Sequence, residues 1–334
     1  MIDHFFQNVL SPLFSAAPFD YLSLGVFNLR QGIYTIREFQ KNPQSGPMPL
    51  LYDLASLTKP LTLASTFLRL NSAFTHDLQL LLNHQAGLPP FALLDRTHWR
   101  NLVLSFPLNS QGTSTLYSDL SALRLQLELE RKLDRSLANI FTETFQQLNG
   151  QRDWHVLHHQ QIPTNKFTIP PTGFRNSTVI CGEVHDPNAY NLGGFLAHAG
   201  LFADIKSLIL ALIHLQRFHG LLQFMEPLFS GPGSRFRGGW DTPSDPKNTL
   251  AGSGFPPATF GHLGFTGTSL WIDAVTGLGH IVLCNATQKF WYERQELNAI
   301  RKNFGEFVWK NGANILSSKV AIEDHSPRTN DDRS

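Results

Sequence analysis

The chain has 334 residues, a formal net charge of +1, 42% hydrophobic residues and 16% charged ones. That length supports a sizeable core in one large domain or two intertwined ones, and the composition is globular rather than disordered. The near-zero charge provides no basic field for nucleic acid or an acidic membrane surface, and Cys181 and Cys284, the only cysteines, are too few for a disulfide framework.

Residues 1–20 are expected to form a lead-in helix. Met1 to Phe6 carry no basic n-region, and Gln7, Asn8 and Pro12 interrupt the apolar residues, so no signal peptide is read and a cytoplasmic setting is expected. Residues 21–28 and 32–39 read as two strands joined by a short turn, and a loop rich in Pro and Gly (42–49) follows. Residues 78–83 form a short apolar helix that stops at His84-Gln-Ala-Gly-Leu-Pro-Pro90. Between 120 and 133, apolar residues at 120, 123, 127 and at 125, 129, 133 make a broad helical stripe. Residues 150–200 are loop-rich, with Pro163, Pro170 and Pro171. Residues 201–218 read as a second long helix; the apolar run 208–213 within it falls far short of the ~20 residues a membrane helix needs. His198-Ala-Gly200 reads as the entry turn of that helix, and 230–257 as a Gly/Pro-rich connection. Strands are expected over 259–265, 268–273 and 280–285, then a helix over 292–309, with Lys310-Asn-Gly312 as its C-cap. Strands at both ends with helices between predict one sheet built from both termini and an inserted helical part. No internal repeat is present.

Ser56 and Lys59, three residues apart at the start of a helix, share one face about a turn from each other. An ammonium or amine held against the hydroxyl makes a usable nucleophile of a serine that is otherwise a poor one. The same spacing recurs at Ser244 and Lys247, but Pro243 and Pro246 there are incompatible with a regular helical turn. Only the first copy leads into helix-compatible sequence, with Pro60 in the first turn, where a missing N–H costs nothing.

Tyr117-Ser118-Asp119 is the one tyrosine setting with Asn or Asp two residues on. A tyrosine beside an ammonium can be driven toward phenolate and act as a base; equally, Ser118 or Asp119 can be a plain N-cap for the following helix. His262-Leu263-Gly264 opens the strand-rich C-terminal part. Gly264 lets a ligand or another backbone approach closely, and His262 can offer a proton or hydrogen bond to a bound group, or be a histidine at a barrel-like bend. Trp240 and Trp271 read as core or cleft wall.

In order along the chain, Leu54-Ala-Ser-Leu-Thr-Lys-Pro60, His84-Gln-Ala-Gly-Leu-Pro89, Tyr117-Ser-Asp-Leu120, Gly182-Glu-Val-His-Asp-Pro-Asn-Ala189, residues 194–202, Gly239-Trp-Asp241 and residues 261–273 resemble the serine hydrolase superfamily of class C β-lactamases, DD-peptidases and β-lactamase-like esterases, in which S-x-x-K is a signature. The resemblance covers roughly residues 21–310. It implies an α/β (α+β) fold: an antiparallel sheet flanked by helices, with its sheet part in 21–75 and 255–317, a helical and loop part in 76–254, and a loose tail over 318–334. It further implies that Ser56 attacks an acyl carbonyl, that Lys59 lowers the cost of its deprotonation, and that Tyr117 passes the proton to the leaving group and later activates water. The backbone N–H groups of Ser56 and Phe265 would form the oxyanion hole; Asp119, His262 and Gly264 would meet substrate. Asp119 stands where the family usually has Asn, and its carboxylate would raise the lysine's pKa. His262 stands where β-lactamases and DD-peptidases typically have Lys. An imidazole with a reference pKa near ~6.5 is mostly neutral at pH 7, which implies weak or no β-lactamase activity and leaves Arg175, Arg235 or Arg237 to supply the missing charge.

The function expected is a cytoplasmic serine hydrolase, free of metal and cofactor, cleaving an ester or amide in a small molecule or short peptide. A D-amino-acid-containing peptide follows by family analogy alone. Two other readings stay open. One is a catalytically silent member that binds a ligand or partner in the same cleft, against which the intact Ser56, Lys59 and Tyr117 argue. The other is a metal-dependent hydrolase using Glu183, His185 and Asp186 with His155, His158 and His159, which lack the fixed spacing of zinc sites. G-x-S-x-G and G-x-G-x-x-G are both absent, which argues against an α/β-hydrolase and a dinucleotide fold. Nothing in the sequence indicates the oligomeric state.

Overall fold

The first strand, β1 (Tyr21–Asn28), is buried along nearly its whole length, because both faces of the sheet it belongs to are covered. A computed structural model of the chain describes residues 2–317, apart from 43–47, 113, 150, 152–153, 164, 244, 246–248 and 291. The second Ser/Lys pair, Ser244 and Lys247, and the expected tail over 318–334 therefore lie outside the described residues. β2 (Ile33–Gln40) pairs antiparallel with β1. After β3 (Tyr52–Asp53), β4 (Val156–His158), β5 (Gly173–Arg175), β6 (Thr178–Ile180) and β7 (Leu201–Ala203) come β8 (Phe236–Arg237), β9 (Trp240–Asp241), β10 (Thr259–Leu263), β11 (Ser269–Asp273) and β12 (Leu278–Cys284). The main sheet is antiparallel and runs β2-β1-β12-β11-β10-β9-β8, so strands from both ends of the chain meet at the β1–β12 pairing.

Side chains alternate across the sheet with period two. Leu22, Leu24 and Val26 pack with Val282, Cys284, Ile300 and Phe304, under the helix Gln295–Leu316 and the N-terminal helical segments within 2–16. Phe27, Ile281 and Leu283 face the other way, toward Ile205, Leu208 and Ile209 of the helix Ile205–His219. That helix comes so close that a Cβ on Gly25 would lie 3.1 Å from Ile209. A second core binds the helical part, where Leu120, Leu123, Leu125 and Leu129 of the helix Asp119–Leu133 supply the expected stripe. Among the described residues no single helix is long and apolar enough to cross a membrane.

Three local expectations are corrected. Leu201–Ala203 is a strand, not the first turn of a helix, because it pairs with β3 on one side and β4 on the other; the helix starts at Ile205, where the Asp204 carboxylate accepts the Ser207 N–H at 2.7 Å. His198-Ala-Gly200 accordingly leads into β7 and is no helix entry. The last helix runs through Lys310–Gly312 to Leu316. Gly312 is there for close packing and not as a cap: a Cβ would lie 2.6 Å from Leu278 of β12. In addition, β8 and β9 extend the main sheet from within the stretch read as a Gly/Pro-rich connection.

Candidate active site

The segment that carries Ser56 is held by the residue that ends β3. Asp53 Oδ1 accepts the Ala55 N–H at 2.8 Å and steadies Ala55 at φ +47°, a region few non-glycine residues occupy. The β10–β11 turn is tied to the same segment: Thr266 donates to Asp53 O at 2.7 Å and Thr268 to Leu54 O at 3.0 Å. A Cβ on Gly264 would lie 2.7 Å from Leu54 O and 1.9 Å from Thr268 Oγ1. The close approach expected at Gly264 is thus made by the backbone of the Ser56 turn, and any side chain there would push the turns apart.

Ser56 lies in the short 3-10 turn Ala55–Leu57, and the chain stays helical through Lys59 into a π-type turn at Pro60–Ala64. Lys59 Nζ donates to Ser56 Oγ at 3.1 Å and to the backbone carbonyl of His198 at 3.1 Å, and it forms an ion pair with Asp119 Oδ1 at 2.7 Å. Lys59 is only 3% exposed. Burial opposes its charge, but the Asp119 carboxylate outweighs burial and holds its pKa above the ordinary lysine value, so the side chain is an ammonium.

Ser118 caps the helix Asp119–Leu133 by accepting the Ser121 N–H at 3.0 Å. Capping and a place in the site are therefore compatible within Tyr117–Asp119. The Tyr117 ring lies 4.9 Å from Lys59 Nζ, and its centroid is 4.7 Å from that of His84 and 5.8 Å from those of Phe236 and His262. The Tyr117 hydroxyl is buried and makes no hydrogen bond of good geometry to any described residue, although Lys59 and Ser56 are its polar neighbours. Burial raises its pKa, with Asp119 adding to the effect and Lys59 opposing it; the group rests as a phenol.

His262 is 3% exposed. Its Nδ1 lies 2.8 Å from the Leu263 carbonyl and so carries the proton, leaving Nε2 as a buried acceptor without a partner among the described residues. Burial lowers its pKa to about 4, against the carboxylate of Asp241 and with the help of the Lys59 charge; the neutral imidazole expected from sequence is held neutral well below pH 7. Of the three arginines considered, Arg235 is the one whose charge acts on Tyr117, His84 and His262. It is half exposed and bidentate to the buried Asp241, at 2.7 Å for both bonds. Arg175 pairs with Glu183 at 3.0 Å and stacks over Tyr190, and Arg237 donates to the carbonyls of Leu228 and Gly231.

The N–H of Ser56 falls in the first turn of its helical segment, where the helix itself supplies no acceptor, and Phe265 sits in the β10–β11 turn that Thr266 and Thr268 fasten to it. Ser56, Lys59, Tyr117, Asp119 and His262 are thus brought together, with Gly264 and Phe265 at the adjoining turn. The histidine groups considered for a metal point elsewhere. His155 Nδ1 bonds Asp204 at 2.7 Å, the rings of His158 and His159 lie 4.2 Å apart, and Asp186 is taken by His198 at 2.9 Å. Among the described residues no three His, Cys, Asp or Glu side chains converge as a metal ion would require. Sequence reading gave no role to His84, whose φ of +56° sets its ring against Tyr117 and whose Nδ1 accepts the Ser118 N–H at 3.3 Å. Nor did it give one to Asp53 or to the His198 carbonyl.

A family model described as Beta-lactamase matches residues 77–302, beginning beyond Ser56 and Lys59. The chain is 30% identical over 150 residues to a provisionally named D-alanyl-D-alanine carboxypeptidase of Escherichia coli (strain K12), covering 42% of this chain and 32% of that protein. It is 27% identical over 244 residues to an N-acetylmuramyl-L-alanine amidase of Bacillus subtilis (strain 168), covering 61% of this chain and 55% of that protein. The chain thus spans about a third of the first relative and about half of the second. Solved structures of the same fold include a β-lactamase from Mycobacterium bovis (TM-score 0.59, 16% identity, 91% of this chain and 99% of that one) and a class C β-lactamase (TM-score 0.65, 14% identity, 91% and 97%). With the family model matching well over half of its length, the chain belongs to the β-lactamase family.

Proposed function

We propose that this protein is a serine hydrolase that forms an acyl-enzyme on Ser56 and cleaves an ester or amide. The observation that carries the reading is the buried ammonium of Lys59 donating to Ser56 Oγ at 3.1 Å while paired with Asp119 at 2.7 Å. In the resting site Lys59 and Tyr117 both hold their protons, so the reactive form arises when this pair loses one. Tyr117, beside the ammonium, then takes the Ser56 proton as Oγ attacks the acyl carbon. The carbonyl oxygen becomes an oxyanion facing the N–H groups of Ser56 and Phe265, each worth roughly 3 kcal/mol of barrier lowering. Tyr117 passes the proton to the leaving group, and a water activated by the same phenolate later releases the acyl group from Ser56.

With His262 neutral and Lys59 paired with Asp119, Arg235 is the proposed anchor for a substrate carboxylate. The reading favours small esters or amides, including D-amino-acid-containing peptides, over penicillins and cephalosporins; the relatives named for carboxypeptidase and amidase activity agree with that class. Nucleophile, base and cation all come from the chain, so no metal or cofactor is required by this mechanism. Cys181 and Cys284 are free thiols, which suits the proposed cytoplasmic setting.

The test is steady-state hydrolysis of a short-chain p-nitrophenyl ester. Ser56→Ala is expected to be inactive while still melting cooperatively, and Tyr117→Phe to lose a factor of ~10² or more in rate with KM little changed. Wild-type turnover by Ser56→Ala would overturn the proposal, and ester turnover absent from the wild type as well would favour a silent binder in the same cleft.

A further inference from the structure

The stretch Gly182–Ala189 carries Glu183, His185 and Asp186 yet supplies neither a metal site nor a group that reaches Ser56, and its bonds show where it acts. The backbone N–H of His185 donates to Asp53 Oδ2 at 2.7 Å; the other oxygen of Asp53 holds the Ala55 N–H at 2.8 Å, next to the nucleophile. One residue on, Asp186 Oδ1 accepts His198 Nε2 at 2.9 Å and the Ala189 N–H at 2.7 Å, and the carbonyl of that same His198 receives Lys59 Nζ at 3.1 Å. His198 is 1% exposed, so its ring cannot meet substrate; what it presents to the site is its backbone oxygen.

We infer that the consecutive residues His185 and Asp186 form a two-armed brace for the catalytic segment, resting on the reading of Ser56 as nucleophile and Lys59 as its partner. One arm runs from the His185 N–H through Asp53 to the turn that aims Ser56. The other runs from the Asp186 carboxylate through the His198 ring to the carbonyl that fixes Lys59. Ser56 and Lys59 are thereby referenced to one short segment, and their 3.1 Å contact is set from both sides. The neighbouring loop is fastened independently: Thr62 donates to Ala197 O at 3.2 Å, and Gln126 bonds both Ala197 N and Phe195 O at 2.9 Å. Loss of the brace therefore loosens the aim of Lys59 without releasing the loop. Asp53, Asp186 and His198 are positioning residues.

The experiment uses the full chain and a neutral p-nitrophenyl ester, with kcat, KM and melting temperature recorded for Asp186→Ala, Asp186→Asn and Asp53→Asn. Asp186→Ala is expected to lower kcat about tenfold to a hundredfold with KM within about twofold, the cost of misplacing reacting groups by a fraction of an ångström. Asp186→Asn is expected to recover most of that loss, because its amide oxygen still accepts from His198 and Ala189. Asp53→Asn, which presents an NH2 to one of the two N–H groups it now accepts from, is expected to lose kcat by about tenfold or more with KM within about twofold, together with a lower melting temperature from the unpaired buried N–H. If Asp186→Ala does not fold, Asp53→Asn decides. Wild-type kcat in both Asp53→Asn and Asp186→Ala, or in Asp53→Asn where the Ala variant is lost, would overturn the brace while leaving Ser56 in place. So would a KM that rises in step with the loss of kcat. Full activity in Ser56→Ala would remove the reading beneath it.

Discussion

Lys59 and Asp119 set the protonation of the site. A lysine this buried would ordinarily titrate low, since desolvation disfavours its charge; the carboxylate at 2.7 Å reverses that. The expectation from sequence that an acid at residue 119 raises the lysine's pKa agrees with this geometry, and it has a kinetic consequence. If the active form is reached by losing a proton from the Lys59–Tyr117 pair, both of whose pKa values are raised, kcat/KM for a neutral ester should keep rising with pH into the alkaline range. Asp119→Asn removes the raising charge, so the midpoint of that rise should move down by about one unit or more, the usual effect of one close opposite charge. A pH profile of the two proteins checks this; identical midpoints would mean that Asp119 does not govern the lysine's proton. His262 is not expected to contribute a step near pH 7, because burial has already moved it to about 4.

Among the elements, the β8–β9 hairpin does more than extend the sheet. Arg235 precedes β8, and its guanidinium is locked to Asp241 of β9 by two 2.7 Å bonds, beside the strand that carries His262. Arg235→Ala is expected to raise KM about tenfold for a carboxylate-bearing substrate, the scale of one lost charge-assisted hydrogen bond, and to change KM for a neutral ester by less than about twofold. Arg235→Lys keeps a cation for Asp241 but loses the bidentate fit, so it should fall between. Equal shifts for both substrates would show that Arg235 supports the fold and not the substrate. This choice among three arginines was not legible in the sequence, because it depends on which loop the sheet draws beside β10. The same holds for Leu201–Ala203, three apolar residues abutting a helix that become a strand only because β3 and β4 flank them. By contrast, β1, β2, β11 and β12 were legible from short apolar runs and turn residues, and the helix Asp119–Leu133 from its stripe. Ser56 and Lys59 were legible because their contact is local. The His185–Asp186 brace was not, since its partners lie 132 residues away at Asp53 and 12 away at His198.

For the whole molecule, the site exists only where distant parts of the chain meet. Lys59 reaches His198 across 139 residues, and Thr268 reaches Leu54 across 214; the β1–β12 pairing that closes the sheet from both ends brings the β10–β11 turn against the Ser56 turn. The site is therefore built only where the folded chain brings these segments together, which makes the intact protein the object to test. The most direct measurement is covalent trapping: the folded protein is treated with a fluorophosphonate, its intact mass recorded, and the modified peptide sequenced by mass spectrometry. A single adduct on Ser56, absent from Ser56→Ala and from protein unfolded before treatment, is the predicted result. An adduct on another serine such as Ser118, or no adduct on folded protein, would contradict the assignment of Ser56 as the nucleophile.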